Sequence, residues 1–346
     1  MRRNSSVVVV VLALVMVVAS CSGGRGGSSN PKIPTVFSNY HLSGAISPVR
    51  DPSVIRFNNT YYAFSTDTGA PVSGSLPILC SQDRVAWACC GSVFGQIPQW
   101  VVKSVPGVLG LWAPDISYFN GLYHVYYAGS TFGSNTSVIG LATNTTLDQT
   151  DPNYQWIDQG EILGSNSTDD FNAIDPNILV DSGSVWLTFG SYWTGIKQRQ
   201  IDPVTGGLLS SNPTVYSLAY RPNAQYDPIE GSSLVHKDSY YYLFVSFDDC
   251  CNPNPYQDTY RIMVGRGTSP NGPFVDMNGA DLMQGGAAQL LAGDDVTWSG
   301  PGGQTAYVDA VNGDIVVFHA IHLPDGTPYL FCNSLTWTNG WPQIQP

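Results

Sequence analysis

Acidic side chains recur at one position of an internal repeat in this chain. Asp51 lies in Arg50–Ser65 (RDPSVIRFNNTYYAFS), Asp175 in Ile174–Phe189 (IDPNILVDSGSVWLTF) and Glu230 in Ile229–Ser246 (IEGSSLVHKDSYYYLFVS). Two further copies, Ala113–Tyr127 and the weaker Thr305–His319, carry Ala113 and Thr305 at that position. Each of the five residues stands seven places before the first residue of a turn pair: Asn58-Asn59, Asn120-Gly121, Ser182-Gly183, Lys237-Asp238 or Asn312-Gly313. Carboxyl groups that converge in a cleft can divide acid and base work between them, one donating a proton while another removes one from water.

Convergence needs elements that repeat in space as they do in sequence. Each copy is a short apolar run, a turn, and an alternating aromatic or apolar run, which is the pattern of a β-hairpin. A period of roughly 55 to 75 residues is longer than one hairpin and fits one four-stranded blade. Five such units closed in a ring predict an all-β, five-bladed β-propeller. Equivalent blade positions face a shared axis, so Asp51, Asp175 and Glu230 are expected to meet there.

The composition agrees. The chain has 346 residues, with 36 Gly and 24 Pro for turns, and only 12% charged residues without a long helical period. A net charge of -12 argues against nucleic acid and against a bare anionic polymer, and leaves a neutral polymer compatible. Residues 1–21 read as a secretory signal: Arg2 and Arg3 precede an apolar run from Val7 to Val18, too short for a comfortable membrane span, followed by small residues. Val18-Ala19-Ser20-Cys21 is also similar to a lipoprotein cleavage box, so a lipid anchor at Cys21 is the alternative to plain secretion. Residues 22–38 are expected to be a flexible Gly/Ser-rich tether, and 39–346 the propeller. Four sequons follow the signal, at Asn58, Asn135, Asn144 and Asn166. Six cysteines remain beyond Cys21; spacing permits Cys80 with Cys89 or Cys90, and Cys250 with Cys251 or another partner. No CxxC or HExxH motif suggests a structural zinc.

From about Ser43 onward the chain resembles glycoside hydrolase family 43, and its endo-α-1,5-L-arabinanases in particular. The resemblance is carried by an ordered set of motifs. They are RDPSV at Arg50, WAPDI at Trp112, STFGSN at Ser130, AIDPNI at Ala173, GSYWTGI at Gly190, IEGSSL at Ile229, FDDCC at Phe247 and the tail from Gly326 to Pro342. It implies a five-bladed propeller that cuts arabinan, the pectic side chain, with inversion. Asp51 would be the general base, Glu230 the general acid, and Asp175 the carboxylate that raises the acid's pKa and orients the sugar. The acid and base of an inverting enzyme stand roughly 6.5–9.5 Å apart, leaving room for water. Within the family-like loops, Trp112, Phe132 and Trp193 are candidates to stack on sugar, with Asn172 and Ser191 as hydrogen-bonding neighbours. The resemblance also implies a role for His319 in holding a calcium or other ion in the central channel, largely through waters; no organic cofactor is expected. The protein is expected to act as a monomer.

Two positions depart from the family pattern. Arg50 replaces the usual His before the base, and Gly303 ends a Gly-Pro-Gly run where arabinanases commonly have His. Asp115, two places past the acidic position, reads as structural in preference to a distal substrate contact. The competing functions are an exo-acting arabinofuranosidase or β-xylosidase of the same family, and a non-catalytic carbohydrate-binding propeller. The NDPNG block and Glu-Cys pair of retaining fructan hydrolases are absent.

Overall fold

In a computed structural model the described residues are 36–38, 40–69 and 74–346. The signal segment, Cys21 and most of the tether lie outside them. These described residues form one compact unit.

The described residues contain 21 strands in five sheets. Blade one contains β2 (Ser53–Phe57), β3 (Thr60–Phe64), β4 (Ser75–Ser81) and β5 (Ala86–Phe94), with the short β1 (Ser43–Gly44) parallel to β5 at its edge. Blades two to five open on β6 (Leu111–Phe119), β10 (Asn177–Asp181), β14 (Ile229–Lys237) and β18 (Trp298–Tyr307). In each blade the remaining strands follow outward in chain order. The opening strands touch in succession around the axis, and β18 touches β2, so the ring is closed. Closure is reinforced further out, at the third strand of blade five: Val49 N–H donates to Pro328 O at 3.0 Å and Leu330 N–H to Ile46 O at 2.8 Å. Val36 and Phe37, inside the span expected to be tether, are buried with Trp298 and Phe331 of blade five. Packing therefore starts earlier than composition suggested, because these two apolar side chains have an aromatic surface to cover.

Blades stack face to face, and an apolar cluster fills each interface. Phe64, Ile78, Val125 and Tyr127 lie between blades one and two. Tyr126, Leu141, Leu187 and Phe189 join two and three. Ile196, Leu234, Leu243 and Phe247 join three and four. Phe244, Ile262, Phe318 and Phe331 join four and five, and Tyr61, Ala63, Val317 and Leu330 join five and one.

A polar belt runs around the hub beneath these clusters. Ser53 Oγ accepts from Ile116 N–H (3.1 Å), Asp115 Oδ2 from Ile178 N–H (2.8 Å), Asn177 Oδ1 from Leu234 N–H (2.8 Å) and Ser233 Oγ from Ala306 N–H (3.1 Å). Arg56 N–H donates to Tyr307 OH at 3.3 Å across the last junction. Each opening strand thus satisfies a backbone donor that the ring geometry leaves without a sheet partner. Asp115 belongs to this belt, held also by Ser53 and Asn177 side chains and 3% exposed.

The first three turns fall where the sequence places them: Phe57 pairs with Thr60, Phe119 with Leu122 and Asp181 with Ser184. Positive φ at Asn120, Gly121, Ser182 and Gly183 matches tight hairpin turns. Two turns differ. In blade four Lys237 pairs with Tyr240, which moves the turn to Asp238-Ser239. In blade five Tyr307 pairs with Ile315, so the turn widens into a loop. Asp309 organises that loop, accepting from Tyr61 OH at 2.6 Å and pairing with Arg56 at 3.4 Å. Of the four sequons, Asn58 and Asn166 are exposed. Asn135 and Asn144 are 6% and 2% exposed, so the folded protein does not offer them for glycosylation.

Candidate active site

The opening strands stop hydrogen-bonding regularly near the site. β6, β14 and β18 carry register shifts at Trp112/Asp115, Glu230/Ser233 and Gly302/Thr305. Asp51, Ala113 and Asp175 have φ of 48°, 38° and 54°, a left-handed conformation that is uncommon for residues with a side chain. The equivalent kink falls one residue later in blade four, at Gly231 (φ 57°), and at Gly303 (φ 56°) in blade five. These kinks deliver Asp51, Asp175 and Glu230 to one cavity of about 1200 Å³.

Asp51 is held from three sides. Thr66 Oγ1 donates to Asp51 Oδ2 at 2.6 Å and accepts Ala113 N–H at 2.7 Å. One of the two repeat copies without an acid, that of Ala113, therefore contributes its backbone to orienting Asp51. Asp51 N–H donates to His319 Nδ1 at 3.2 Å. Burial pushes the Asp51 carboxyl above its ordinary pKa, opposed by the Thr66 hydrogen bond and the Arg50 charge.

Glu230 has different company. Ser191 Oγ donates to Oε2 and Tyr260 OH to Oε1 at 2.9 Å. Burial raises its pKa, and the two hydroxyl donors oppose that rise. Asp175 Oδ2 accepts Gly231 N–H at 3.1 Å, next to the acid. Burial, then the charges of Glu230 and Asp51, push Asp175 well above the ordinary range. Burial raises both carboxyls and the Glu230 charge raises Asp175 further, so this buried acidic cluster keeps a proton above the ordinary carboxylate range.

All five sugar-contact candidates line the cavity. Trp112 and Phe132 pack at 5.1 Å between ring centroids, with Phe132 80% exposed on the rim. Trp193 sits on the loop after the second strand of the neighbouring blade three, which is locked by left-handed residues Tyr192 and Trp193 and by Tyr192 OH on Asp249 Oδ1 (3.1 Å). Asn172 is buried, accepting from Ser137 Oγ at 2.7 Å and donating to Ser134 O at 3.4 Å. It supports the loop that carries Phe132. Ser191 is likewise committed to Glu230.

Sequence reasoning missed Thr66, Tyr260 and the exposed rim residue Tyr226. A signal for the first existed: Thr66, Ser130, Ser191 and Ser246 are hydroxyls just at or past the end of the second strand in four successive blades. Tyr260 precedes β16 (Arg261–Gly267) and has no counterpart in the repeat.

His319 lies in β19 (Ile315–His322) and is fully buried. Burial and the Arg50 charge hold its pKa well below the ordinary value, so the ring is neutral. Its Nδ1 accepts the Asp51 N–H, which places the ring proton on Nε2. Nε2 has no hydrogen-bond partner. A protonated nitrogen offers no lone pair to a cation, and calcium prefers a cage of oxygens. Among the described residues no group of three or more His, Cys, Asp or Glu side chains could hold a metal ion. The side chains present therefore do not form a direct calcium site. At Gly303 an added Cβ would press on Asp51 Oδ1 and lie 3.0 Å from His319 Nδ1. Glycine at this position leaves room for the Asp51 carboxylate as it is placed here.

The architecture and sequence both have known counterparts. An extracellular endo-α-(1→5)-L-arabinanase of Bacillus subtilis is 40% identical over 297 residues, covering 85% of this chain and 87% of that one. An extracellular exo-α-(1→5)-L-arabinofuranosidase of Cellvibrio japonicus is 37% identical, covering 86% of each. The solved structure of a Bacillus licheniformis endo-arabinanase superposes with a TM-score of 0.78 at 40% identity, over 88% of this chain and 99% of that one. The model for glycosyl hydrolases family 43 matches residues 46–342, the whole ring of blades, and the chain is a member of that family.

Proposed function

We propose that the protein is an exported endo-acting arabinanase that hydrolyses α-1,5-L-arabinofuranosidic bonds of arabinan with inversion. The observation that carries this reading is the different company of Asp51 and Glu230 in one cleft, with Asp175 beside the acid. Glu230 donates its proton to the departing glycosidic oxygen. Asp51 takes a proton from a water that attacks the anomeric carbon from the other face. Asp175, fixed by Gly231 N–H, helps keep the proton on Glu230 until the bond breaks. Trp112, Phe132 and Trp193 supply apolar surface for the furanose rings, and Asn172 and Ser191 act through the loop and the acid they hold.

Export is supported by the two extracellular relatives and by the positive, apolar start of the chain. Among the described residues no helix is long and apolar enough to cross a membrane. The exo-acting relative makes single-sugar release the second reading. Digestion of debranched arabinan and linear xylan separates them. Mixed short arabino-oligomers, released as the inverted anomer by NMR, are expected. Arabinose alone would mean exo action, and binding without products would leave only a lectin.

A further inference from the structure

Arg50 has an unusual environment for a guanidinium. Its Nη1 lies 3.1 Å from Cys251 Sγ and 3.6 Å from Cys250 Sγ. These two sulfurs form a disulfide between neighbouring residues. Sulfur is a weak acceptor, and among the described residues no carboxylate forms an ion pair with Arg50. Most of its five donors are therefore uncommitted. Arg50, Cys250 and Cys251 all line the catalytic cavity beside Asp51.

The disulfide turn is fixed from behind. Buried Asp258 stands behind it, with the backbone N–H groups of Cys251 and Asn252 near enough to oppose the rise in its pKa that burial causes. Thr259 N–H donates to Asp249 O at 3.0 Å, and Thr259 Oγ1 accepts Asp249 N–H at 3.2 Å. Tyr192 OH reaches Asp249 Oδ1, tying the turn to the Trp193 loop. Cys251 is left-handed (φ 67°), so the covalent link and these bonds hold a backbone shape that a free Cys would resist. The result is a rigid sulfur face on the cleft with a cation laid against it.

We propose that Arg50 is a sugar-binding residue of the cleft, positioned by the Cys250–Cys251 turn in place of a carboxylate, and that this turn is the wall of the subsite next to Asp51. The ligand class is a neutral pentose oligosaccharide: its hydroxyls accept from the guanidinium, and its C–H face lies on the polarizable sulfurs. The inference rests on the glycosidase reading above, and it assigns roles to residues that reading does not use.

The test compares Arg50→Met, the double variant Cys250→Ser/Cys251→Ser, and all three changes combined, in the full chain, on linear arabino-oligosaccharides. Wild-type activity on arabinan is established first; its absence would remove the function and this inference together. With activity present, Arg50→Met should raise KM about tenfold, and move the acid limb of kcat/KM to higher pH, since the cation that favours ionised Asp51 is gone. The double Cys variant should raise KM in the same direction, because the guanidinium loses its seat. The combined variant should show less than the product of the two effects. Arg50→Met with wild-type KM and acid limb overturns the proposal. So does a double Cys variant that loses only thermal stability, or effects that multiply independently. Circular dichroism confirms folding; if the Cys variant fails to fold, Arg50→Met still decides, with Arg50→Lys expected to restore the acid limb and only part of KM.

Discussion

Asp51 and Glu230 occupy matching places in the repeats of blades one and four, yet their surroundings differ in the way the proposed division into base and acid requires. Asp51 has a hydroxyl donor, a nearby guanidinium and a backbone tie to a neutral imidazole. Glu230 has two hydroxyl donors, no cation partner among the described residues, and the charges of Asp51 and Asp249 raising its pKa beyond what burial does. The repeat supplies the position; the side chains that arrive from other strands supply the chemistry. On the proposed reading, one repeat position serves as proton acceptor where a guanidinium stands beside it and as proton donor where only other carboxyls do.

The sharpest test of that contrast is removal of each group. Glu230→Gln should lower kcat on arabinan by about 10³–10⁴-fold, and should be much less damaging on an aryl arabinofuranoside whose leaving group needs no proton. Asp51→Asn should cause a similar loss that a good leaving group does not relieve. Equal behaviour of the two variants on the aryl substrate would erase the distinction.

A finer test uses the hydroxyl donors. Thr66→Val removes a bond that favours ionised Asp51. Its pKa should rise, moving the acid limb of kcat/KM upward and narrowing the bell, with about tenfold loss of kcat. Tyr260→Phe removes a donor that favours ionised Glu230. The pair it shares with Asp175 should then hold its proton longer, so the basic limb moves upward and the bell widens. A pH–rate profile in which both variants shift the same limb would contradict the assignment.

The smallest effect separates these carboxyls from Asp115. Its pKa is pushed up to about 7 by burial, against its three hydrogen bonds. The folded value lies above the unfolded one, so its contribution to stability is full below pH ~4 and fades as pH rises toward 7. Asp115→Asn should flatten that part of the stability curve, measured by urea unfolding. Asp115→Ala should cost about 1–3 kcal/mol, with kcat of the folded protein nearly unchanged.

The ring, its five-fold repetition and the three acids were legible because they follow from periodicity: one hairpin pattern recurring with an acid in phase. The turns at Asp238 and after Tyr307 were not, since a bulge in the opening strand shifts pairing without altering the apolar pattern. Tyr260 was invisible for another reason. It reaches Glu230 from a loop thirty residues later, and no local rule says which loop folds over the axis. Burial of Asn135 and Asn144 likewise depends on neighbours far along the chain. Phe37 was hidden by the Gly/Ser-rich stretch before it, which suggested a tether continuing past its true end.

The belt of side chain to backbone bonds around the hub has a consequence for engineering. Each opening strand donates to, or accepts from, a residue encoded one module away: Ser53 serves Ile116, Asp115 serves Ile178, Asn177 serves Leu234 and Ser233 serves Ala306. A module transplanted from a relative therefore brings one half of two junctions. It will seat correctly only if its own hub side chain matches the amide of the following module and its amide matches the preceding side chain. Recombination in this scaffold is best done in adjacent pairs, with the cut placed in the outer strands.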